Sequence, residues 1–219
     1  MTPTPGSQQH ELYRPAFVHN CLALLVRARH SLPGIALRDE EEPSITGMLV
    51  KKAKEITESV DAEPWMEHLE VMDDPPQNDE AERKGKRRPR IDIEFVETRR
   101  GLRPRFHVEA KRMYRSDSVK EYLGAGGLVM FLRGGYASGW PSAAMLGYVQ
   151  NQSCGEWRNR ISLAIASMRT EIATCEDRGD LAPTNWSTAG LEDVQESCHN
   201  RVPGALGRIS IYHILIDCC

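Results

Sequence analysis

Two carboxylates and an ammonium group occur in the middle of the chain, at the spacing of neighbouring strands. Asp92 stands in the segment RIDIEFV, and Glu109 and Lys111 stand in the segment FHVEAKR. Side chains two residues apart on a strand share a face, so we expect Asp92 on one strand and Glu109 with Lys111 on the next. Carboxylates are the oxygen ligands that a hard divalent cation such as Mg²⁺ prefers, and a lysine beside that cation could orient a water molecule.

Both segments alternate between apolar and polar residues, which is the pattern of a half-buried strand. In the first segment, Ile91, Ile93 and Phe95 alternate with Asp92, Glu94 and Val96. In the second segment, Phe106, Val108 and Ala110 alternate with His107, Glu109 and Lys111. Between them, Arg99-Arg100-Gly101 and Pro104 favour a turn. The pattern predicts a hairpin whose polar face carries the charges at the edge of a core, and the alternative is a surface hairpin with solvated charges.

One aspartate followed by a Glu-x-Lys resembles the active-site signature of the PD-(D/E)xK nuclease superfamily. The aspartate is Asp92 in RPRIDIEF, and the Glu-x-Lys is Glu109-Ala110-Lys111, which begins 17 residues further on. The resemblance covers the middle third of the chain. It implies a restriction endonuclease-like fold, with an α-β-β-β-α-β core in which helices flank a central mixed sheet.

The resemblance also implies an activity. It indicates a metal-dependent nuclease that hydrolyses phosphodiester bonds with Mg²⁺ or Mn²⁺, on DNA rather than RNA. Asp92 and Glu109 would then be metal ligands together with the backbone carbonyl of Ala110, and Lys111 would orient water or stabilise developing charge. Bacterial members commonly serve in restriction or phage defence, a role that the family suggests and that no residue of this chain selects.

A glutamate upstream of these segments fits the same resemblance. Glu42 begins the text EPSIT, which is similar to the Glu-x-x-Ile-Thr form that some members place on a helix near the metal. We therefore expect Glu42 to hold a second metal or to position water, with Glu41 as the reserve. The alternative is that these acids only favour the N-terminus of a helix that begins at Pro43.

Two places in the chain offer candidates for contact with a nucleic acid. The run Arg83 to Arg90 carries six positive charges, although the whole chain has a net charge of −3. Within this run, Arg87 and Arg88 are candidates for phosphate contact, and the alternative is a solvated linker. The resemblance adds Lys120 and Tyr122, on the helix that follows the Glu-x-Lys.

The sequence carries no recognisable motif that would select a target. Helix-turn-helix, zinc-finger and ATPase signatures are not found, so target choice or regulation would come from a partner subunit, such as an ATPase or a sensor, or from a homo-oligomer. The rival from another functional class is a non-catalytic nucleic-acid-binding or scaffolding subunit that keeps the nuclease fold. The complete set of Asp92, Glu109 and Lys111 argues against this rival, because degenerate copies usually lose one member.

The periodic segments predict a single domain of the α/β class, with mixed α+β character, over residues 16–219. A flexible tail is expected at 1–15 and a charged loop at 73–90. Helices are predicted at 17–31, from Pro43 onward, at 119–132 and at 156–172, the last with Trp157, Ile161, Leu163, Ile165, Met168 and Ile172 inward. Strands are predicted at 142–149 and 208–217, a strand or short helix at 65–72, and a loop at 182–203.

The remaining residues limit the location of the protein and its other possible sites. The six cysteines include no Cys-x-x-Cys pair, and nothing indicates secretion, so we expect reduced thiols and a cytoplasmic protein. A zinc site that joins Cys175 to Cys198 and His199 is a less favoured alternative. His213 is expected to be structural. No apolar run approaches the ~20 residues that span a bilayer, so no membrane association is expected.

Overall fold

The structure, a computed structural model, describes residues 15–33, 37–76, 89–99, 103–175, 181–186, 190–202 and 207–219. Its helices are α1 (Pro15–His30), α2 (Glu42–Thr57), α3 (Ser118–Leu123), α4 (Leu128–Leu132) and α5 (Cys154–Ser167). Its strands are β1 (Leu69–Asp73), β2 (Ile93–Glu97), β3 (Arg105–Met113), β4 (Ser142–Val149), β5 (Ala182–Pro183), β6 (Gln195–Asn200) and β7 (Arg208–Asp217). Two predicted regions lie outside the described residues. They are the tail at 1–15, apart from Pro15, and residues 77–88 of the predicted charged loop.

Seven strands form one mixed sheet in the order β1-β2-β3-β4-β7-β6-β5. Strand β2 pairs antiparallel with both β1 and β3, and β3, β4 and β7 are parallel. Strand β6 pairs antiparallel with β7, and β5 pairs antiparallel with β6. Parallel neighbours need crossover connections, and these are supplied by the helices between β3 and β4 and after β4. The predicted α/β class, with a mixed sheet flanked by helices, is confirmed.

Each face of the sheet is covered by its own apolar core. Helices α1 and α2 pack residues such as Leu24 and Leu49 against one face, where they meet Phe95 and Val108. Helices α3, α4 and α5 form the other core. Because both faces are covered, the polar residues of the hairpin are also buried: Glu94, His107 and Glu109 are all among the buried side chains. The prediction of a half-buried hairpin was therefore wrong for this face.

The predicted helix at 119–132 is interrupted by its glycines. The chain forms α3, turns through 124–127 and then forms α4. A Cβ atom on Gly127 would lie 2.2 Å from the carbonyl oxygen of Tyr122, so only glycine allows the backbone to fold back this closely. The backbone at Gly127 packs closely against the backbone at Tyr122, and this contact divides the helix. Sequence periodicity does not predict such a contact.

Two further predictions for the second half of the chain were wrong. The predicted loop at 182–203 contains β5 and β6, because long-range pairing with β7 orders a segment, QESCHN, that has little strand character of its own. The predicted helix at 156–172 ends at Ser167. Within it Trp157 and Ile161 are buried as expected, whereas Leu163 is 72% exposed.

Other predicted elements are confirmed. Strand β4 covers the predicted 142–149 and is buried at every position, and β7 covers the predicted 208–217. The segment 65–72 contains both predicted alternatives, since a 3-10 helix at Pro64–His68 leads directly into β1. None of the helices within the described ranges has the length and hydrophobicity to cross a bilayer.

Candidate functional site

Asp92 is held at the start of β2 by the backbone of β3. Its Oδ2 atom accepts a hydrogen bond of 2.7 Å from the amide of Ala110. The β2–β3 register pairs Glu94 with His107, and its continuation sets Asp92 opposite Glu109. The expected position on the strand is corrected by one residue, because β2 begins at Ile93. The two predicted carboxylates nevertheless lie side by side.

The ammonium group of Lys111 lies among three oxygen atoms. Its Nζ donates to the carbonyl oxygen of Ala110 at 2.6 Å and to Glu109 Oε1 at 2.7 Å. It also donates to Glu42 Oε1 at 3.2 Å. The side chain of Lys111 is only 16% exposed, so these contacts form in a sheltered environment. Residues from α2 and β3 are thereby joined across 69 positions of the chain.

Glu42 is the first residue of α2 and enters the site from the side of the first core. One of its oxygens meets Lys111, and the other accepts a hydrogen bond of 3.2 Å from the backbone amide of Arg112. Glu41, which was the reserve, is 78% exposed and pairs with the guanidinium group of Arg112. Glu42 is therefore the glutamate of this pair that reaches Lys111.

The electrostatics of the site are dominated by the burial of its carboxyl groups. Burial, with the neighbouring charge of Asp92, raises the pKa of Glu109 to about 9. Burial also raises the pKa of Asp92 and of Glu42. For Lys111, burial disfavours the charged form, but the surrounding carboxylates outweigh it and raise the pKa. With a pKa of about 9, Glu109 keeps its proton near pH 7, so a bound cation would have to displace that proton.

The donors of the site suit a hard divalent cation in their chemistry. The carboxylates of Asp92 and Glu109 and the carbonyl of Ala110 are oxygen ligands, and Glu109 Oε2 is buried without a hydrogen-bond partner. Within the described part of the chain, no three His, Cys, Asp or Glu side chains are already arranged around one metal position. The ammonium of Lys111 contacts two of these donors itself, so a cation would have to replace its hydrogen bonds.

The predicted nucleic-acid contacts have three different outcomes. Lys120 is exposed on α3, where a contact with phosphate is sterically open. Tyr122 is fully buried, and its hydroxyl donates to the carbonyl of Met145 at 2.9 Å, so its predicted phosphate contact was wrong. A tyrosine whose ring and hydroxyl are both inside the second core is a packing residue. Arg87 and Arg88 lie outside the described residues.

Two side chains near the site were missed by sequence reasoning. Tyr136 is a buried phenol whose pKa is raised, mainly by burial and also by Glu109. Gln150 accepts from Arg112 Nε at 2.7 Å and donates to the carbonyls of Leu37 and Glu40 at 2.8 Å each, which fixes the chain before α2 against β3. Neither residue belongs to a motif, and only the fold brings them to the site.

The polar face continues beyond the acids into a second buried charge pair. His107 Nε2 lies 3.1 Å from Glu94 Oε1, and Arg105 donates to the same oxygen at 2.8 Å. Burial lowers the pKa of His107, although the neighbouring Glu94 opposes this shift. For Glu94, burial would raise the pKa, but its hydrogen bonds from His107 and Arg105 outweigh burial and lower it. Unlike Glu109, Glu94 is therefore well compensated by its neighbours.

Comparison with known proteins adds no relative to this description: no family model matches the chain, and no curated protein or solved structure matches it.

Proposed function

We propose that this chain is a metal-dependent nuclease of the PD-(D/E)xK type that hydrolyses phosphodiester bonds in DNA. The observation that carries the proposal is the convergence of Asp92, Glu109, Lys111 and Glu42 at one sheltered place. These residues come from three separate segments, and they are the residue types that the signature requires. A solvated surface hairpin would not bury like charges next to each other, since that arrangement costs stability.

The arrangement of elements around the site supports the same proposal. A helix, α2, precedes the antiparallel strands β1, β2 and β3, and α3 follows them and leads through α4 to β4, which is parallel to β3. This is the α-β-β-β-α-β order that the resemblance implies for a restriction endonuclease-like core. The strands β5, β6 and β7 add to the same sheet after β4.

Each residue of the site has a role that follows from its position. Asp92 and Glu109, with the carbonyl of Ala110, would hold the metal. When bound, Mg²⁺ or Mn²⁺ would lower the pKa of water and neutralise charge on the phosphoryl group. Lys111, released from Glu109, would orient the attacking water or stabilise charge on the phosphate. Glu42 would keep Lys111 in place or position the water.

A second candidate is a nucleic-acid-binding or scaffolding subunit that keeps the fold without cutting. It is favoured by the contacts of Lys111, which satisfies Glu109 and Glu42 without a metal. In this candidate the lysine is a permanent partner of the acids, and the site only stabilises the sheet. The two candidates differ in whether divalent metal changes the behaviour of the protein.

A cleavage assay tests the proposal directly. The purified protein is incubated with supercoiled plasmid, linear duplex DNA and single-stranded RNA, each with Mg²⁺, Mn²⁺ or EDTA. We expect nicking or linearisation of DNA with metal and none with EDTA, and no activity for Asp92→Asn prepared in parallel. Binding to DNA without cleavage under every metal condition would instead support the second candidate.

A further inference from the structure

Two cysteines far from the acids lie directly opposite each other at one edge of the sheet. The segment before residue 175 runs antiparallel to β6, and Thr174 bridges to His199. The amide of Cys175 donates to the carbonyl of Cys198 at 2.8 Å, which makes them the next pair in this register. Opposed residues of this kind have Cα atoms about 5.5 Å apart and side chains on the same face.

The two sulfur atoms are already in contact. Cys198 Sγ lies 2.9 Å from Cys175 Sγ, and the Cys175 thiol points to Asn200 Oδ1 at 3.7 Å. A disulfide needs a sulfur separation of about 2.05 Å and Cα atoms roughly 4.4–6.8 Å apart. The sulfurs therefore need to move by only about 1 Å, and the paired register of the two residues suits the backbone separation that a disulfide requires.

We propose that Cys175 and Cys198 are a dithiol pair that is oxidised to a disulfide by a low-molecular-weight disulfide. The thiolate of Cys198, which is the more exposed residue of the two at 5% against 1%, attacks the oxidant and releases one small thiolate. Cys175 then attacks the sulfur of Cys198 and releases the second small thiolate. The two cysteines lose two electrons and two protons in total, and the oxidant is reduced to two thiols.

A zinc site is the other chemistry that two neighbouring thiols suggest, but the surrounding groups do not supply it. His199, the adjacent histidine, uses Nδ1 toward the carbonyl of Ile172 at 2.8 Å and Nε2 toward Ser197 at 2.7 Å. Within the ranges that the structure describes, no third cysteine, histidine or carboxylate joins the pair. Two thiolates alone do not complete the tetrahedral set of zinc.

The disulfide would connect the segment that follows α5 to β6 and close a loop of 22 intervening residues. Cross-linking this loop restricts the unfolded chain, so the oxidised protein should be more stable than the reduced protein. Formation of the bond would be slow compared with that of an exposed thiol, because both sulfurs are buried and local opening must admit the oxidant. Slow, reversible oxidation of this kind would make the edge of the sheet sensitive to redox conditions.

Peptide mapping tests the proposal, because trypsin separates the two cysteines. Cleavage after Arg169, Arg178 and Arg201 gives one peptide with Cys175 and another with Cys198, each without a second cysteine. The full chain is reduced, desalted and incubated with oxidised glutathione. It is then denatured in the presence of iodoacetamide, which alkylates the remaining free thiols, and digested with trypsin. We expect the two peptides to appear linked, and dithiothreitol to separate them.

Melting curves and matched variants complete the test. The oxidised parent should melt roughly 5–10 °C above the reduced parent, and Cys198→Ala should lose this difference. Cys219→Ser, at an exposed thiol outside the pair, should keep both the link and the melting shift. The proposal would be overturned if Cys175 and Cys198 were both fully alkylated after the parent had been treated with the oxidant. It would also be overturned if the reduced parent bound zinc and the Cys198→Ala variant did not.

Discussion

Two polar clusters lie on the same sheet and differ in how well their groups compensate one another. The acid–lysine site consists of Asp92, Glu109, Lys111 and Glu42. The histidine cluster consists of Ser197, His199, His213 and Tyr122. The acid–lysine site is formed by ionisable groups near the start of β2. The histidine cluster is formed by neutral groups between β6, β7 and α3.

In the histidine cluster every ring nitrogen has a partner. The Oγ atom of Ser197 lies 2.7 Å from Nε2 of both His199 and His213. The remaining nitrogens meet the carbonyl of Ile172 at 2.8 Å and the hydroxyl of Tyr122 at 3.1 Å. Burial lowers the pKa of His199 to about 4 and that of His213 to about 3, so both are neutral near pH 7.

The acid–lysine site lacks this balance. Asp92 and Glu109 are neighbouring carboxyl groups whose pKa values are both raised by burial, so both resist ionisation. Neutral histidines need no counter-charge, whereas buried carboxyl groups ionise only where a cation compensates them. The two clusters should therefore respond to different perturbations: the acid–lysine site to metal and the histidine cluster to acid.

Removal of one charge from the acid–lysine site should have the largest effect. Asp92→Asn keeps the size of the side chain but replaces a carboxylate by an amide, which is a poor ligand for Mg²⁺. We expect DNA cleavage to fall by several orders of magnitude, roughly 10³-fold or more, while the protein remains folded. Supercoil nicking rates and melting curves measure both. Metal-free DNA affinity should stay level or rise, and cleavage at the parental rate would refute this site.

Removal of the ammonium should make the site depend more strongly on metal. Lys111→Ala leaves Glu109 and Glu42 without their shared cation, so we expect a lower melting temperature in EDTA and loss of cleavage. Added Mg²⁺ should then raise the melting temperature more than it does in the parent, because Lys111 no longer competes for the oxygens. Lys111→Met, which keeps most of the packing, is the control for lost volume. An equal Mg²⁺ response in parent and variant would show that the lysine does not compete with metal.

Adjacent glutamates allow a matched comparison within the same turn. Glu42→Gln removes a charge that contacts Lys111, and Glu41→Gln removes an exposed charge whose ion pair within the described residues is with Arg112. We expect cleavage to fall about 10- to 100-fold for the first and to change less than about twofold for the second. Steady-state nicking rates at saturating Mg²⁺ separate the two. Equal rates for both variants would remove Glu42 from the site.

Acid should act on the histidine cluster with the smallest effect. His199 and His213 bind fewer protons in the folded chain than in the unfolded chain, where their pKa is about 6.5. Their contribution is therefore complete above pH 6.5 and is lost as the pH falls toward 4 and then 3. At pH 5 each histidine should cost about 2 kcal/mol of stability relative to pH 7.5. Denaturant titrations should show a smaller loss for His213→Gln, and an unchanged loss would contradict the assignment.

Local periodicity and residue type determined much of what lies around the site. Alternation placed the pair of strands that carries Asp92 and Glu109, because a period of two residues is imposed by the pleat of any strand. The apolar run of β4 and the strand-forming run of β7 were predictable for the same reason: they are buried from both sides and show it in composition. The position of Glu42 at the start of a helix followed from Pro43 and the helical spacing after it.

The tertiary structure alone decided how these groups meet. Lys111 contacts Glu42 only because α2 packs against the sheet, and Tyr122 is buried only because α3 covers the other face. Strand β6 exists because β7 offers it a partner, and the same pairing brings Cys175 against Cys198. Such contacts join residues that are distant in the chain, and their free energy comes from burial and long-range hydrogen bonds, which local propensity does not encode.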